Sequence, residues 1–197
     1  MQFPVNLNLV GRPVVVVGGG RIALRKVEQL LAANAEVTVI SPLFVDEFQH
    51  MPVTLVQREY ATGDIDTFRL VITATGNTAV DQIIYDECED KGIWINSADD
   101  PERCAFTLPA AFRSGQLMIT VSTGGASPAL ASWMRSHLEL AIGPEYEEVV
   151  SRLAVERARV HANGESTENV QWQPIIMNVM ADIGMTCPVP REVQVAQ

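Results

Sequence analysis

Apolar residues fall in short blocks along this chain, divided by glycine, proline and charged positions. Val14-Val15-Val16-Val17 is uninterrupted, which suits a strand buried on both faces, as in a parallel sheet. Gly18-Gly19-Gly20 follows, and the period then becomes helical. Across residues 22–33, Ala23, Val27, Leu30 and Leu31 recur at i, i+4, i+7 and i+8, while Arg21, Arg25, Lys26 and Glu28 lie elsewhere around the turn. Asn34 is placed to end that helix. Residues 36–40 predict a second strand, stopped by Ser41-Pro42. A short helix or loop is expected around residues 44–50, and further strands over 53–57 and 69–73. Residues 78–91 predict a helix with Val80, Ile83, Ile84 and Cys88 (or Glu87) on its buried side, ended by Gly92. Residues 93–96 are the fifth strand. This alternation predicts an α/β fold with a Rossmann-like parallel sheet.

After Asn96 the pattern changes. Residues 97–102 form an acidic turn, and residues 106–112 and 116–122 predict a hairpin turning at Arg113-Ser114-Gly115. Ser127 is the expected N-cap of a helix that has Pro128 in its first position and runs through Leu140. Two more helices are expected, over residues 145–161 and 170–183, then a loose tail from Cys187 to Gln197. A small second region and a helical C-terminal region thus follow the sheet.

Chemistry enters at the glycine turn. Gly18-Gly19-Gly20-Arg21-Ile22-Ala23 fits the G-x-G-x-x-G/A dinucleotide fingerprint between a strand and a helix. The first glycine allows the turn, the second lets backbone approach a pyrophosphate, and Ala23 is small enough for close helix–strand packing. The helix then offers unpaired N–H groups and the positive end of its dipole. Gly18, Gly19, Gly20, Arg21 and Ile22 are the candidate cofactor residues of this turn. The acidic residue that ordinarily binds ribose at the end of the second strand is absent; Ser41, Pro42 and Leu43 stand there and are taken as cofactor-binding in its stead. No arginine follows closely to meet a 2′-phosphate, which favours NAD over NADP. Thr75 and Gly76 belong to a small-residue loop expected at the carboxyl ends of the strands, where such sheets bind ligands.

Bulk properties exclude several classes. Of the 197 residues 47% are hydrophobic and 19% charged, enough apolar material for a sizeable core. A net charge of −10 argues against nucleic-acid binding. No apolar run reaches the roughly 20 residues of a membrane span, and residues 1–7 lack a signal-peptide pattern, so a cytoplasmic location is expected. Cys88, Cys104 and Cys187 have no metal-ligand spacing, and His50, His137 and His161 are scattered, so no metal site is expected.

Four stretches in order, Gly18–Lys26, Ala74-Thr75-Gly76-Asn77, Asn96-Ser97-Ala98-Asp99 and Val121–Pro128, together with Phe106 followed by Pro109, resemble the precorrin-2 dehydrogenase family, which includes the N-terminal module of siroheme synthase. The resemblance covers about residues 1–145. It implies NAD-dependent oxidation of precorrin-2 to sirohydrochlorin by a homodimer, with no methyltransferase domain in this chain. It divides the chain into an NAD-binding domain over residues 1–112, a dimerisation region over 113–144 and a C-terminal helical region over 145–197. It carries a catalytic aspartate onto Asp99 and a tetrapyrrole pocket onto Ser122, Thr123, Gly124 and Gly125. By residue type alone, Asp99 and Asp100 also read as caps of a turn before Pro101. Arg103, Arg113 and Arg135 read as surface arginines, His137 as structural, and Trp133, Met134 and Leu138 as core or dimer contacts. Two alternatives stand beside the dehydrogenase: an enzyme that also inserts iron into sirohydrochlorin, and a non-catalytic NAD-binding module, which has no need of Asn96-x-x-Asp99.

Overall fold

The computed structural model describes residues 2–98 and 100–185. Candidate catalytic residue Asp99 and the tail that begins near Cys187 therefore lie outside the described residues. The chain divides into two units, residues 1–108 and 109–197.

The first unit is a five-stranded parallel sheet. Its elements are β1 (Pro13–Val17), α1 (Arg21–Ala32), β2 (Glu36–Ile40), β3 (Thr54–Val56), β4 (Leu70–Thr73), α2 (Thr78–Lys91) and β5 (Trp94–Ser97), in the strand order β3-β2-β1-β4-β5. The valine run is explained by alternation across this sheet. Val14 and Val16 enter one cluster with Val37, Val39, Leu70, Ile72 and the α1 residues Ala23, Leu24, Val27 and Leu30. Val15 and Val17 enter the other with Ile40, Ile65, Val71, Ile95 and the α2 residues Ile84 and Cys88. Every β1 position after Pro13 is therefore buried.

The helix ends follow local chemistry. Asn34 takes the left-handed conformation, φ 56°, just past α1. Ala35 N–H donates to Leu30 O at 3.1 Å and Asn34 N–H to Leu31 O at 2.9 Å, the bond pair of a Schellman motif. On α2 the expected inward face needs one correction. Ile83 is 52% exposed, whereas Glu87 is buried beside Ile84 and Cys88. The helical period places 84, 87 and 88 together, and the Glu87 carboxylate is tolerated there because it is fully engaged. It accepts from the Tyr60 hydroxyl, from Gly63 N–H at 2.8 Å and from Lys91 at 2.6 Å. Burial pushes this carboxyl up, but the bonds from Lys91, Tyr60 and Gly63 outweigh burial and leave it below the usual range.

Among its described residues, the second unit holds an antiparallel hairpin and three α-helices: β6 (Ala110–Ser114), β7 (Leu117–Val121), α3 (Pro128–Ala141), α4 (Glu145–Ala162) and α5 (Trp172–Asp182). The hairpin lies later than the sequence pattern suggests. Ser114 pairs with Leu117, leaving Gly115-Gln116 as a two-residue loop. Gly115 has φ 56° and Gln116 is not in the positive-φ region, which is the arrangement of a type II′ turn. Val149, Val179 and Met180 form a small core where α4 meets α5.

Candidate functional site

β1 runs to β2 on one side and to β4 on the other, so the sheet reverses its order between β1 and β4. That reversal opens a crevice at the carboxyl ends of the two strands, the ordinary ligand position of an open α/β sheet. The loops after β1 and β4 flank it: Gly18-Gly19-Gly20 and Ala74-Thr75-Gly76-Asn77.

Close backbone approach requires glycine at the first two positions of this loop and leaves the third free. Gly18 has φ 127°, and a Cβ there would stand 2.2 Å from Ala74 O. A Cβ at Gly19 would stand 2.0 Å from Leu43 O. Gly20 faces open space, with nothing within 4 Å of its Cβ position. Hydrogen bonds hold this turn from both sides: Gly18 N–H donates to Ile40 O at 2.9 Å, and Val45 N–H donates to Gly19 O at 2.9 Å.

Gly20 is the N-cap of α1, no side chain caps that end, and its first turn has no acidic residue. The first-turn N–H groups thus face the crevice without a protein acceptor, an arrangement suited to an anion. Ile22 and Leu43 add exposed apolar surface beside it, 41% and 77% exposed. Ser41 is buried, and its hydroxyl donates to Leu43 O at 2.7 Å, which leaves its lone pairs as acceptors. Pro42 is exposed. Gly18, Gly19, Gly20, Arg21, Ile22, Ser41, Pro42 and Leu43 therefore gather around one end of the crevice. These residues fit a dinucleotide: close backbone, open N–H donors and flanking apolar groups.

The β4 loop is built differently. The Asn77 side chain accepts from Ala79 N–H at 3.1 Å and Val80 N–H at 3.4 Å, capping α2. Thr75 donates its hydroxyl to Asp81 at 2.8 Å and accepts from Asn77 N–H at 3.0 Å. Thr75 and Gly76 border the crevice, but their helix has no open end. Two residues that the sequence pattern did not single out emerge here: Asp81, and Glu47, whose Oε1 stands 3.5 Å from Nη1 of Arg21.

Around position 99 the neighbours are firmly held. Asn96 Nδ2 donates to Phe106 O at 2.9 Å. The Cys104 thiol donates to Ser97 O at 3.3 Å and Asp100 O at 3.2 Å, and burial pushes its pKa up. Arg103 is not a solvated arginine: Nη1 donates to Asp100 Oδ2 at 2.7 Å and Nε to Gln82 Oε1 at 2.8 Å. Asp100 itself caps the short turn at Pro101–Arg103 through a 2.9 Å bond from Glu102 N–H.

Ser122, Thr123, Gly124 and Gly125 lie in the second unit, between β7 and α3. Ser122 Oγ accepts from Gly124 N–H at 3.2 Å, and Thr123 Oγ1 accepts from Ser127 N–H at 2.9 Å, so both hydroxyl protons remain to be donated. Ser127 caps α3 through a 3.2 Å bond from Leu130 N–H. Gly124 and Gly125 have φ 63° and 89° and face open space. On α3, the His137 ring stacks on Trp133 with centroids 3.7 Å apart. Leu130, Trp133, Met134 and Leu140 leave an exposed apolar surface on that helix.

A cavity of about 890 Å³ lies at the opposite, amino end of the strands, lined by Arg12, Leu70, Ile93 and Trp94 among others. It is remote from the glycine turn. Among the described residues no group of three or more His, Cys, Asp or Glu could hold a metal ion, and no helix is long and apolar enough to cross a membrane.

Comparison with known proteins agrees with this geometry. A family model described as "Putative NAD(P)-binding" matches residues 5–110, and one described as "Sirohaem biosynthesis protein central" matches residues 115–140. The siroheme synthase of Nitrosococcus oceani is 33% identical over 189 residues, covering 92% of this chain and 40% of the relative. That of an Enterobacter species is 40% identical over 164 residues, covering 81% of this chain and 36% of the relative. The chain thus spans 36–40% of the length of these two siroheme synthases. Among solved structures, SirC, a precorrin-2 dehydrogenase, superposes with a TM-score of 0.71 at 25% identity, covering 92% of this chain and 89% of SirC. A glycine turn feeding an uncapped helix, followed by a matched central region, places the chain in the family of precorrin-2 dehydrogenase and the siroheme synthase N-terminal domain.

Proposed function

We propose that the chain is an NAD-dependent precorrin-2 dehydrogenase that forms sirohydrochlorin. The observation that carries this reading is the open N-terminus of α1 beneath Gly18–Gly20, in a chain of this family. Oxidation removes a hydride and a proton from the reduced macrocycle, and NAD held at this turn would supply the hydride acceptor. The protein's part is to bind, orient and accept the proton. First-turn N–H groups of α1 hold the pyrophosphate. Ile22 and Leu43 cover apolar surface, Ser41 and Pro42 line the ribose side, and Thr75 and Gly76 border the crevice.

Asp99 is the proposed proton acceptor, following Asn96-Ser97-Ala98 at the carboxyl end of β5. The bonds of Asn96, Arg103 and Cys104 fix the backbone on either side of it. Ser122 and Thr123 have hydroxyl protons to donate to the carboxylates of the tetrapyrrole, and Gly124 and Gly125 allow close approach. The active form is a homodimer, with the apolar surface of α3 (Leu130, Trp133, Met134, Leu140) covered by the second copy.

The test is turnover of precorrin-2 with NAD, followed as NADH and sirohydrochlorin, with Asp99→Ala in parallel. Turnover by the unaltered chain and a loss of about 100-fold or more in the variant are expected. No turnover by the unaltered chain refutes the dehydrogenase. Equal rates refute the role of Asp99. Adding ferrous ion measures metal insertion against a protein-free control.

A further inference from the structure

The end of β2 lacks the usual ribose carboxylate, yet the fold brings a carboxylate to the same side of the glycine turn by another route. Ser41 Oγ donates to Leu43 O at 2.7 Å, and Val45 N–H donates to Gly19 O at 2.9 Å. The first bond holds the bend after β2, and the second ties that segment to the glycine turn. A 3-10 helix, Asp46–His50, begins one residue later, and Glu47 is its second residue. Glu47 Oε1 stands 3.5 Å from Nη1 of Arg21, the first residue of α1. Both side chains are open to solvent, at 49% and 81%.

An arginine beside this end of a dinucleotide site is the residue type that takes a 2′-phosphate. Here a carboxylate already faces it. A ribose 2′-hydroxyl is neutral and can donate to a carboxylate, whereas a phosphate monoester carries a charge of about −2 and is repelled by it. We infer that Arg21 and Glu47 form a nucleotide-selectivity pair, in which Glu47 holds off a 2′-phosphorylated ribose and Arg21 becomes a phosphate partner once Glu47 is neutralised. The inference rests on the dinucleotide reading above and deepens it. Because the pair is exposed, its own attraction is weak, and its effect is felt in discrimination between ligands.

The test is calorimetric titration of NAD and NADP, each alone and without tetrapyrrole, into the unaltered protein, Glu47→Gln and the double variant Glu47→Gln/Arg21→Gln. The expected preference is for NAD in the unaltered chain. In Glu47→Gln the ratio of NADP to NAD dissociation constants falls by roughly tenfold, the effect of removing one like charge near a phosphate. In the double variant that gain is lost. An unchanged ratio in Glu47→Gln overturns the inference. A gain that survives loss of Arg21 overturns the part given to Arg21. Binding of neither nucleotide by the unaltered protein overturns the dinucleotide reading and the inference with it. Binding without a shift in ratio overturns the inference alone. Circular dichroism of each variant checks the fold, which two surface side chains are not expected to disturb.

Discussion

Helices α1 and α2 leave the same end of one sheet, each after a loop containing glycine, yet their N-termini are finished in opposite ways. At α2 the protein supplies its own acceptors: Asn77 caps Ala79 and Val80, and Asp81 sits in the first turn. At α1 it supplies none, and the first residue is Arg21. A helix dipole with a carboxylate and a side-chain cap already in place has little left for an anion. The difference separates the two loops: α1 keeps an open N-terminus, the proposed seat of the phosphates, and α2 forms a finished wall.

Four variants probe this contrast, in descending order of expected effect. Gly18→Ala puts a Cβ 2.2 Å from Ala74 O at φ 127°, where L residues are strained. It separates the two loops and is expected to cost about 3 kcal/mol in chemical denaturation, with loss of nucleotide binding. Glu87→Gln loosens the anchor at the far end of α2 and is expected to cost about 2 kcal/mol near neutral pH. The native Glu87 carboxyl lies below its ordinary value, so its contribution is full above the unfolded carboxylate range. It is lost as pH falls through the lowered native value. The stability gap between wild type and Glu87→Gln should therefore shrink on acidification, read by denaturation at several pH values.

Gly20→Asn makes α1 resemble α2. Gly20 has φ −88° and ψ −175° and open space around its Cβ position, so the residue fits. A cap should raise stability by a few tenths of a kcal/mol, as seen by thermal melting. It should also weaken dinucleotide binding by roughly tenfold, about 1.4 kcal/mol in calorimetry, because the N–H groups are spent. Asn77→Ala is the converse. It should lower stability by about 1 kcal/mol, and dinucleotide affinity should fall less than in Gly20→Asn. A larger loss of affinity from Asn77→Ala would reverse the roles given to the two helices.

Much of this was legible in the sequence because it follows from local rules. Four valines in a row require two covered faces, and the glycine turn announces strand, turn and helix together. Ser127-Pro128 marks a helix start that the structure places at the same residue. What was hidden depends on contacts distant along the chain. Glu87 sits at a helical spacing that fits Cys88 equally well. Lys91, one turn on, pairs with it, but Tyr60 and Gly63, more than twenty residues earlier, complete the set of donors that makes a buried carboxylate acceptable there. Ile83 is apolar and adjacent to the buried face, yet it points outward. Glu47 is one of many acidic residues until the segment after β2 folds back on Gly19. The first hairpin strand starts later than the pattern suggests: Phe106 is apolar, but its carbonyl is already used by Asn96, and the strand begins only after Pro109, which has no N–H for a ladder.

The bond from Ala105 N–H to Ile95 O, 2.8 Å, has a consequence for self-association. β5 is an edge of the sheet, and an open edge invites pairing with another chain's strand. Ala105, with the bridge between Asn96 and Cys104, occupies part of that edge. The opposite edge, β3, is only three residues long. The segment just after position 99 thus also guards the sheet against aggregation. Substitutions there can remove activity by making the chain clump, so light scattering belongs beside every rate measured on them.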